Sequence, residues 1–153
     1  MMELLFVDTP LGQMALAEED GALIRLYLPG EGTPRLMPHE TPLLREVREQ
    51  LLAYLRGELK TFELPLDPRG TPFQCAVWEE LRRIPYGTTC TYGELAARIG
   101  NPRAVRAVGQ ANHRNPLPIF IPCHRVIGAN GALTGYAGGL ELKRSLLELE
   151  GIV

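Results

Sequence analysis

The sequence predicts an α/β (α+β) protein: a small N-terminal antiparallel sheet with a helix, then a mainly helical C-terminal domain of winged-helix/helix-turn-helix type. Short apolar runs separated by turn signals fill the first 28 residues. Residues 64–70 have the proline- and glycine-rich composition of a linker, and helix-capping sequences follow from residue 71. We therefore expect an N-terminal domain over 1–64, a linker over 65–70 and a C-terminal domain over 71–153.

The N-terminal domain is predicted to contain three strands, over residues 3–8, 13–18 and 22–28. Asp20 and Gly21 are typical of a two-residue hairpin turn between the last two strands. Thr41 followed by proline predicts the start of a helix, and Gly57 predicts its end. Apolar residues recur every four positions between them: Leu43, Val47, Leu51 and Leu55. No pattern of reactive side chains appears in this domain.

The C-terminal domain begins with a predicted helix. Residues 71–74 (Thr-Pro-Phe-Gln) form a capping box with proline at the first helical position. One apolar stripe follows, made of Phe73, Val77, Leu81 and Ile84, and residues 85–87 (Pro-Tyr-Gly) end the helix. At the other end of the domain, Leu142, Leu146 and Leu149 predict a last helix that ends at Glu150 and Gly151.

A helix-turn-helix is predicted between these two helices. Residues 91–94 (Thr-Tyr-Gly-Glu) are a second capping box, opening a helix that ends at Gly100. Asn101 and Pro102 predict the cap of the next helix, which runs to about Asn112. Two short helices joined by a tight turn with glycine are typical of the motif. The second helix has Arg103, Arg106 and Gln110 on one face, and the small residues Ala104, Ala107, Gly109 and Ala111. Small side chains permit close approach of DNA, or of neighbouring helices.

Charge is unevenly distributed along the chain. Residues 1–70 contain 7 Lys and Arg against 12 Asp and Glu, whereas residues 71–153 contain 9 against 6. No acidic residue lies between Glu94 and Glu141, where five arginines occur: Arg98, Arg103, Arg106, Arg114 and Arg125. Such a window predicts a surface for an anion, most often nucleic acid. The alternative is a mostly buried stretch with few charges of either sign.

Residues 121–126 (Ile-Pro-Cys-His-Arg-Val) place a thiol, an imidazole and a guanidinium side by side. A thiol becomes a nucleophile as thiolate, and a basic neighbour lowers its pKa or takes its proton. Residues 113–122 contain three prolines and predict an extended approach to Cys123, while the glycine-rich residues 130–139 predict a pocket wall. The alternative for Cys123 is an inert buried cysteine in an apolar strand.

Three functions are compatible with these residues. The first is a thiol hydrolase using Cys123 and His124, although neighbours on an extended segment point to opposite sides. The second is a DNA-binding regulator in which Cys123 has no chemical role. The third is an enzyme that binds DNA and uses Cys123 on a base.

Composition predicts a soluble protein in a reducing compartment. No apolar run approaches the roughly 20 residues of a membrane span. The N-terminus lacks the basic region and apolar stretch of a secretion signal. The three cysteines, at positions 75, 90 and 123, form neither a CxxC pair nor a metal-ligand spacing. Free thiols are typical of the cytoplasm, so we expect a cytoplasmic protein without membrane association.

Five segments resemble, in order and spacing, the O6-alkylguanine-DNA alkyltransferases (methylated-DNA–protein-cysteine methyltransferases). They are residues 91–94, 104–109 (Ala-Val-Arg-Ala-Val-Gly), 115–116 (Asn-Pro), 121–126 and 136–139 (Tyr-Ala-Gly-Gly). The first 70 residues fit more loosely, as the variable ribonuclease H-like N-terminal domain of that family. Alkyltransferase-like proteins share the motifs but lack the cysteine, so the presence of Cys123 favours an active transferase.

The resemblance implies DNA repair in a single-turnover suicide reaction. An O6-alkylguanine is flipped out of duplex DNA, and its alkyl group passes irreversibly to Cys123. By resemblance, His124 is the base, acting through a water, and Glu150 orients its imidazole. Tyr92 resembles the tyrosine that crowds the target phosphate, helps to rotate the nucleotide and hydrogen-bonds the guanine. Asn115 resembles the asparagine that braces the helix-turn-helix against the active-site segment.

The resemblance also implies how DNA and guanine are bound. Arg106 resembles the finger that replaces the flipped base, and the recognition helix is expected in the minor groove. The expected DNA-binding residues are Tyr92, Arg103, Ala104, Arg106, Ala107, Gly109, Gln110 and Arg114. The carbonyls of Cys123 and Val126 are expected to read the guanine amino group, and the Ala137 N–H to face O6. Tyr136 and Gly138 are expected in the same pocket.

The expected partner is double-stranded DNA carrying O6-alkylguanine, bound by a monomer without a cofactor. Some family members bind zinc through N-terminal cysteine and histidine residues. Here His39 is the one candidate ligand, so we expect no metal. Cys75 and Cys90 do not belong to the family motifs, and we expect both to be packing residues.

Overall fold

The computed structural model describes every residue from Met1 to Val153 and confirms the α/β fold class. The chain divides into two compact units, Met1–Pro68 and Arg69–Val153. None of the helices in either unit is long and apolar enough to cross a membrane.

The first unit contains a three-stranded antiparallel sheet. Its strands are neighbours in chain order: β1 (Glu3–Thr9), β2 (Gly12–Glu19) and β3 (Ala22–Tyr27). The predicted hairpin turn is confirmed, since Asp20 and Gly21 both have the positive φ, 54° and 80°, that a tight two-residue turn requires. The three predicted strands are therefore present, with bounds shifted by one residue.

Helix α1 (Pro42–Leu55) packs against β1 and β2, and Thr41 caps it by accepting a hydrogen bond from the Leu44 N–H at 3.0 Å. Its buried residues are Leu44, Val47, Leu51 and Tyr54. The prediction of Leu43 and Leu55 on this face is wrong. An α-helix has 3.6 residues per turn, so alternating steps of three and four stay on one face, whereas repeated steps of four drift away from it.

The stretch predicted as a linker begins inside the first unit. The Leu23 N–H donates to the Pro65 carbonyl at 2.9 Å, and the Asp67 N–H donates to the Leu23 carbonyl at 2.8 Å. Leu66 thus forms an isolated parallel bridge with Leu23 of β3. Proline lacks an N–H donor but keeps its carbonyl acceptor, so a proline-rich segment can still pair in this way.

The second unit is mainly helical. Its helices are α2 (Pro72–Leu81), α3 (Tyr92–Arg98), α4 (Val105–His113) and α5 (Leu140–Leu149), and α4 packs against α2 and α3. Both predicted capping boxes, Thr71 with Gln74 and Thr91 with Glu94, are confirmed. Helix α2 ends earlier than its apolar stripe predicts, because the Ile84 N–H bonds to the Leu81 carbonyl in a tighter turn.

The second helix of the helix-turn-helix begins later than predicted. The Asn101 carbonyl accepts the Ala104 N–H at 3.0 Å, which makes a turn of the residues predicted to start the helix. Helix α4 therefore starts at Val105 without a side-chain cap. Arg103 and Ala104 lie in the turn, and Arg106 is in the first turn of the helix.

The prediction of an extended segment over residues 113–122 is wrong at the centre of that segment. The Ile121 N–H donates to the Leu117 carbonyl at 2.9 Å, so the chain turns back on itself. Ile119 is buried there with a φ of 75°, a left-handed conformation that β-branched residues rarely adopt. The three prolines exclude a helix but not such a turn.

A short parallel ladder connects the helix-turn-helix to the thiol segment. β4 (Cys90–Thr91) pairs with β5 (Val126–Ile127), in the register Cys90 to Val126 and Thr91 to Ile127. β4 leads directly into α3, and β5 directly follows the residues that contain the thiol. The ladder thereby fixes the first residue of α3 relative to the end of the thiol segment.

Candidate active site

Cys123 opens a 3-10 turn, Cys123–Arg125, and is only 4% exposed. The expectation of an extended backbone at Cys123 and His124 is wrong, because the Arg125 N–H donates to the Pro122 carbonyl at 3.1 Å and closes the turn. The turn places all three polar side chains of the segment in buried surroundings. Each of them therefore depends on a specific partner within the second unit.

The thiol of Cys123 is protonated in the resting protein. Burial raises its pKa to about 11, although hydrogen bonding with Asn115 and the positive charge of Lys143 act in the opposite direction. About one molecule in ten thousand would carry the thiolate at neutral pH with such a pKa. Because the thiolate is the reactive form, the site needs a base to remove this proton.

His124 is fully buried and is the basic group nearest in sequence to the thiol. Its Nε2 lies 2.7 Å from Oε2 of Glu150. A carboxylate only accepts, so Nε2 carries the N–H, and Nδ1 is the proton-accepting nitrogen of the neutral ring. Burial lowers the pKa of His124, and the positive charges of Arg125 and Lys143 lower it further, while Glu150 opposes the shift.

Glu150 follows α5 as its C-cap, and its buried carboxylate is shared among several donors. Besides His124, it accepts hydrogen bonds from Arg125 Nε at 2.8 Å, from Arg125 Nη2 at 3.0 Å and from the Gly87 N–H at 3.1 Å. Arg125 also donates through Nη1 to the Ile84 carbonyl at 2.7 Å. These contacts tie the end of α5 to the thiol turn and to the loop after α2.

Lys143 of α5 is a buried cation without a carboxylate among its hydrogen-bond partners. Its Nζ donates to the Val126 carbonyl at 2.6 Å and to the Thr134 carbonyl at 2.8 Å. Burial lowers its pKa to about 8, while the negative charge of Cys123 in its thiolate form acts to raise it. Lys143 therefore connects β5 to the glycine-rich loop and favours negative charge on the thiol.

Two asparagines fix the backbone around the thiol. The Nδ2 of Asn115 donates to the Ile121 carbonyl at 2.8 Å, and its Oδ1 accepts from the Leu117 N–H at 3.0 Å. The Nδ2 of Asn112, on α4, approaches the Cys123 carbonyl at 3.4 Å. The end of α4 is thereby held against the segment that leads into Cys123.

Tyr92 is the first residue of α3, the first helix of the helix-turn-helix, and it contacts the glycine-rich loop. Its hydroxyl accepts a hydrogen bond from the Thr134 hydroxyl at 3.1 Å. Its ring faces Gly109 of α4, where an added Cβ would lie 3.8 Å from the Tyr92 Cδ1 atom. Gly109, which is expected in the DNA-binding set, thus lies against the tyrosine ring, and an added Cβ would be in ordinary van der Waals contact with it.

Most residues of the expected DNA-binding set are on the surface. Arg103, Arg106, Ala107, Gln110 and Arg114 are exposed, while Ala104, Gly109 and Tyr92 are half-buried. Arg106, Ala107 and Gln110 share α4, whereas Arg114 is its C-cap. The structure therefore presents these arginines to solvent, and none of them forms a salt bridge with an acidic residue of the second unit.

The residues expected around the guanine differ in their exposure. Val126 and Tyr136 are buried, Gly138 is half-buried and Ala137 is exposed. Hydrogen bonding from Tyr136 is among the interactions that lower the pKa of the Cys123 thiol. Tyr136 is thus next to the sulfur, and the exposed Ala137 backbone follows it at the surface.

The other candidate reactive residues have no role in the thiol network. His39 in the first unit pairs through Nδ1 with Glu3 at 2.8 Å. Cys75 is half-buried and Cys90 is buried, and burial raises the pKa of the Cys90 thiol. Nowhere along residues 1–153 do three or more histidine, cysteine or acidic side chains form a group able to hold a metal ion.

Sequence reasoning missed Lys143, Arg125, Asn112 and Thr134 as parts of this site. Lys143 lies three and four positions before Leu146 and Leu147, and all three are buried on α5. That spacing places Lys143 on the same face of the helix as the two leucines and so indicates burial, but a lysine is normally assigned to the solvent face of a helix. The window without acidic residues predicts Arg125 on a surface for anions. Its burial follows from its pairing with Glu150, which is distant in sequence.

Two family models match nearly the whole chain. Residues 4–68 match the ribonuclease-like domain of 6-O-methylguanine DNA methyltransferase. Residues 72–152 match the DNA-binding domain of 6-O-methylguanine DNA methyltransferase. The gap between the two matches coincides with the end of the first compact unit.

Curated proteins and solved structures agree with these matches. The chain is 54% identical over 153 residues to the constitutive methylated-DNA–protein-cysteine methyltransferase of Bacillus subtilis, with 95% of this chain and 93% of that protein covered. It is 51% identical to the methylated-DNA–protein-cysteine methyltransferase of Methanosarcina acetivorans, covering 94% and 95%. The crystal structure of Mycobacterium tuberculosis OGT in complex with DNA superposes with a TM-score of 0.90 at 47% identity, covering 97% and 92%. The chain belongs to the 6-O-methylguanine DNA methyltransferase family.

Proposed function

We propose that this protein repairs DNA by moving the alkyl group of O6-alkylguanine irreversibly to Cys123. The observation that carries the proposal is a buried cysteine in the same 3-10 turn as a histidine bonded to Glu150, next to a helix-turn-helix with exposed arginines. Family membership supplies the reaction class. The arrangement of these residues supports the assignment of the roles.

In the proposed reaction, the alkyl carbon is transferred in one displacement. The sulfur of Cys123 forms a bond to this carbon, the carbon–O6 bond breaks, and its electron pair returns to the guanine. The thiol proton passes to Nδ1 of His124 through a water. The dealkylated guanine, left with the electron pair, then takes up that proton through the solvent, so that guanine and the neutral imidazole are both restored. The thioether product has no good leaving group, and each protein molecule therefore acts once.

The target base has to leave the duplex before it can reach a thiol that is 4% exposed. Flipping costs a few kcal/mol for unstacking, and less when an alkylated base pairs poorly. We assign Arg106 to the gap left by the base and Tyr92 to rotation of the nucleotide. The exposed small residue Ala107 beside Arg106 suits approach of α4 to the minor groove. We further propose that a monomer carries out the reaction in the cytoplasm.

The guanine is proposed to be read by backbone groups around the thiol. The carbonyls of Cys123 and Val126 would accept from its amino group, and the Ala137 N–H would donate to O6. Asn112 Nδ2 and Lys143 Nζ already contact these two carbonyls, at 3.4 and 2.6 Å. A carbonyl has two lone pairs, so the Val126 carbonyl can accept the guanine amino group beside Lys143. The Cys123 carbonyl also accepts from the Val126 N–H, so the guanine amino group would replace the longer Asn112 contact there.

Incubation with duplex DNA that contains O6-methylguanine tests the proposal. Mass spectrometry should find one added methyl group per molecule, on Cys123, with no further turnover in excess DNA. Cys123→Ala should abolish repair, whereas the matched variant Cys75→Ala should retain it. Continued turnover would contradict the single-use reaction and favour a hydrolase. DNA binding without any methyl transfer would favour a regulator.

A further inference from the structure

We propose that Arg125 is a positioning residue that keeps His124 uncharged, so that the imidazole is available as a base when the protein meets its substrate. The inference rests on the proposed function, in which His124 accepts the proton of Cys123. Arg125 acts through Glu150 and has no contact with the DNA base in this role. The geometry of one shared carboxylate carries the argument.

Arg125 occupies most of the Glu150 carboxylate. Its Nε and Nη2 bind both carboxylate oxygens, at 2.8 and 3.0 Å, in the bidentate geometry that arginine favours. Nη1 is held by the Ile84 carbonyl at 2.7 Å, and the guanidinium carbon lies 5.6 Å from the centre of the Tyr86 ring. The guanidinium is thus fixed on three sides. His124 contacts only one of the two carboxylate oxygens, Oε2 of Glu150, at 2.7 Å, and it shares this oxygen with Arg125.

Charge balance then determines the protonation state of the imidazole. The side chains of Arg125, Glu150 and His124 are all buried. One guanidinium and one carboxylate cancel, so the group has no net charge only when the imidazole is neutral. A buried net charge is costly. Without Arg125, no cation would be hydrogen-bonded to the carboxylate, since Lys143 donates to two carbonyls instead. The unpaired carboxylate would then draw a proton onto the imidazole, which would occupy the base.

The other groups facing His124 act in the same direction or carry no charge. Lys143 on α5 is a second buried cation, and Gly87 in the loop after α2 contributes only an N–H to Glu150. The Cys123 thiol and the Tyr86 hydroxyl are neutral at physiological pH, since burial raises the pKa of both. Glu150 is therefore the single negative group near the imidazole, and Arg125 is its principal partner.

Titration of the wild-type protein tests the resting state directly. The ¹⁵N chemical shifts of the His124 imidazole should show a neutral ring at about pH 7, with the proton on Nε2, and protonation only below the ordinary histidine pKa of about 6.5. A ring that is protonated at neutral pH would overturn the proposal. Alkyl transfer is not needed for this measurement, so its outcome is independent of whether the proposed function is correct.

The pH dependence of single-turnover transfer tests the role of Arg125. In Arg125→Met, the acidic limb of the rate profile should move to higher pH by about one unit or more, as expected for the loss of a nearby positive charge. Transfer by this variant should recover towards the wild-type rate as pH rises. Arg125→Lys keeps the positive charge but loses the bidentate contact with the carboxylate. The acidic limb of its rate profile should stay near the pH of the wild-type limb, while its maximal transfer rate should be lower.

A purely structural role for Arg125 would slow transfer by the same factor at every pH, which contradicts the proposal. An unshifted limb in a folded Arg125→Met protein would contradict it too. Should Arg125→Met fail to fold, the wild-type imidazole titration and the Arg125→Lys profile decide the question. If wild-type protein transfers no alkyl group but its His124 is neutral, the proposed function fails and the electrostatic part of the inference stands.

Discussion

Arg106 is exposed in the first turn of α4, within a stretch of the chain that contains no acidic residue. Two roles are possible for an arginine in this position. A phosphate contact would strengthen binding to any DNA, whereas a finger that replaces the flipped base acts only when the base is in a duplex. Comparison of duplex and free-base substrates separates these roles.

Arg106→Ala is expected to slow transfer from duplex DNA much more than transfer from free O6-alkylguanine, which needs no flipping. Single-turnover kinetics with both substrates measure the difference. Arg103→Ala is the control: Arg103 is exposed in the turn before α4, so its loss should weaken binding and reduce the salt slope by about one unit. Equal slowing of both substrates by Arg106→Ala would show that the residue supports the pocket instead.

Glu150→Gln is expected to lower both activity and stability. It removes the charge that favours protonation of His124, so transfer should slow with duplex and free-base substrates alike. It also leaves the buried Arg125 without a counter-charge, which should reduce the free energy of unfolding by about 3–5 kcal/mol. DNA affinity should change little, because Glu150 is buried away from the exposed arginines.

Glu148→Gln, at an exposed position two residues earlier, is the matched control and should change neither quantity. Urea unfolding, kinetics and a DNA-binding titration give the three readouts. Loss of stability with an unchanged transfer rate would reduce Glu150 to a structural anchor for α5.

Short elements with many polar contacts build the site. The 3-10 turn presents Cys123, and the β4–β5 ladder connects it to Tyr92. Helix α5 supplies Lys143, and its C-cap residue is Glu150. The left-handed backbone of Ile119 costs of order 1–3 kcal/mol and is tolerated because the surrounding turn is buried and hydrogen-bonded. Strain is thus present in the segment that leads to the thiol.

Lys143→Met is expected to separate stability from activity. The pKa of Lys143 falls from 10.5 to about 8 in the folded protein, so the folded state resists its protonation and loses stability as pH falls from about 10.5 to about 8. Removing the amine should leave stability at neutral pH unchanged or higher. Transfer should slow, because the Val126 and Thr134 carbonyls lose their common donor.

Thermal unfolding and single-turnover kinetics check this expectation, with Arg144→Met, the exposed neighbour, as control. Wild-type transfer rates in Lys143→Met would mean that the lysine serves only packing. A large loss of stability would mean that its two hydrogen bonds outweigh the burial of its charge.

The whole molecule combines an acidic first unit with a basic second unit. Residues 1–70 hold 12 of the 18 acidic residues, whereas the arginines of the helix-turn-helix belong to the second unit. Although the net charge of the whole chain is −2, the second unit therefore has a basic surface suited to DNA. The buried charges that govern the chemistry are separate from this surface.

Stability of the whole protein is expected to fall in mild acid. The pKa of His124 is lowered in the folded state, so the unfolded chain takes up this proton first as pH drops below its ordinary value of about 6.5. The stabilisation is fully present above that pH and is lost as pH falls towards the folded pKa. Urea unfolding between about pH 7.5 and 5 should show this slope.

His124→Gln should remove the part of the pH dependence of the unfolding free energy that comes from this imidazole. His113→Gln, at an exposed position, should retain it. An identical slope in wild-type protein and His124→Gln would contradict a neutral buried imidazole.

Much of the fold was predictable because its signals are local. The hairpin at Asp20 and Gly21 and the two capping boxes depend on residues within a few positions of each other, so the sequence alone determines them. The motif around Cys123 likewise identifies the family and predicts the nucleophile. The start of α4 and the turn at Ile119 were missed because backbone hydrogen bonds, which residue types do not reveal, decide them.

The tertiary structure decided the electrostatics of the site. Whether Arg125 faces DNA or Glu150, and whether Lys143 faces water or two carbonyls, depends on partners up to 25 residues away in the chain. Burial and pairing set the pKa values of Cys123 and His124, and both properties exist only once α5 packs against the thiol turn. The sequence by itself determined the family and predicted Cys123 as the reactive residue, whereas packing determined the burial that raises the pKa of its thiol.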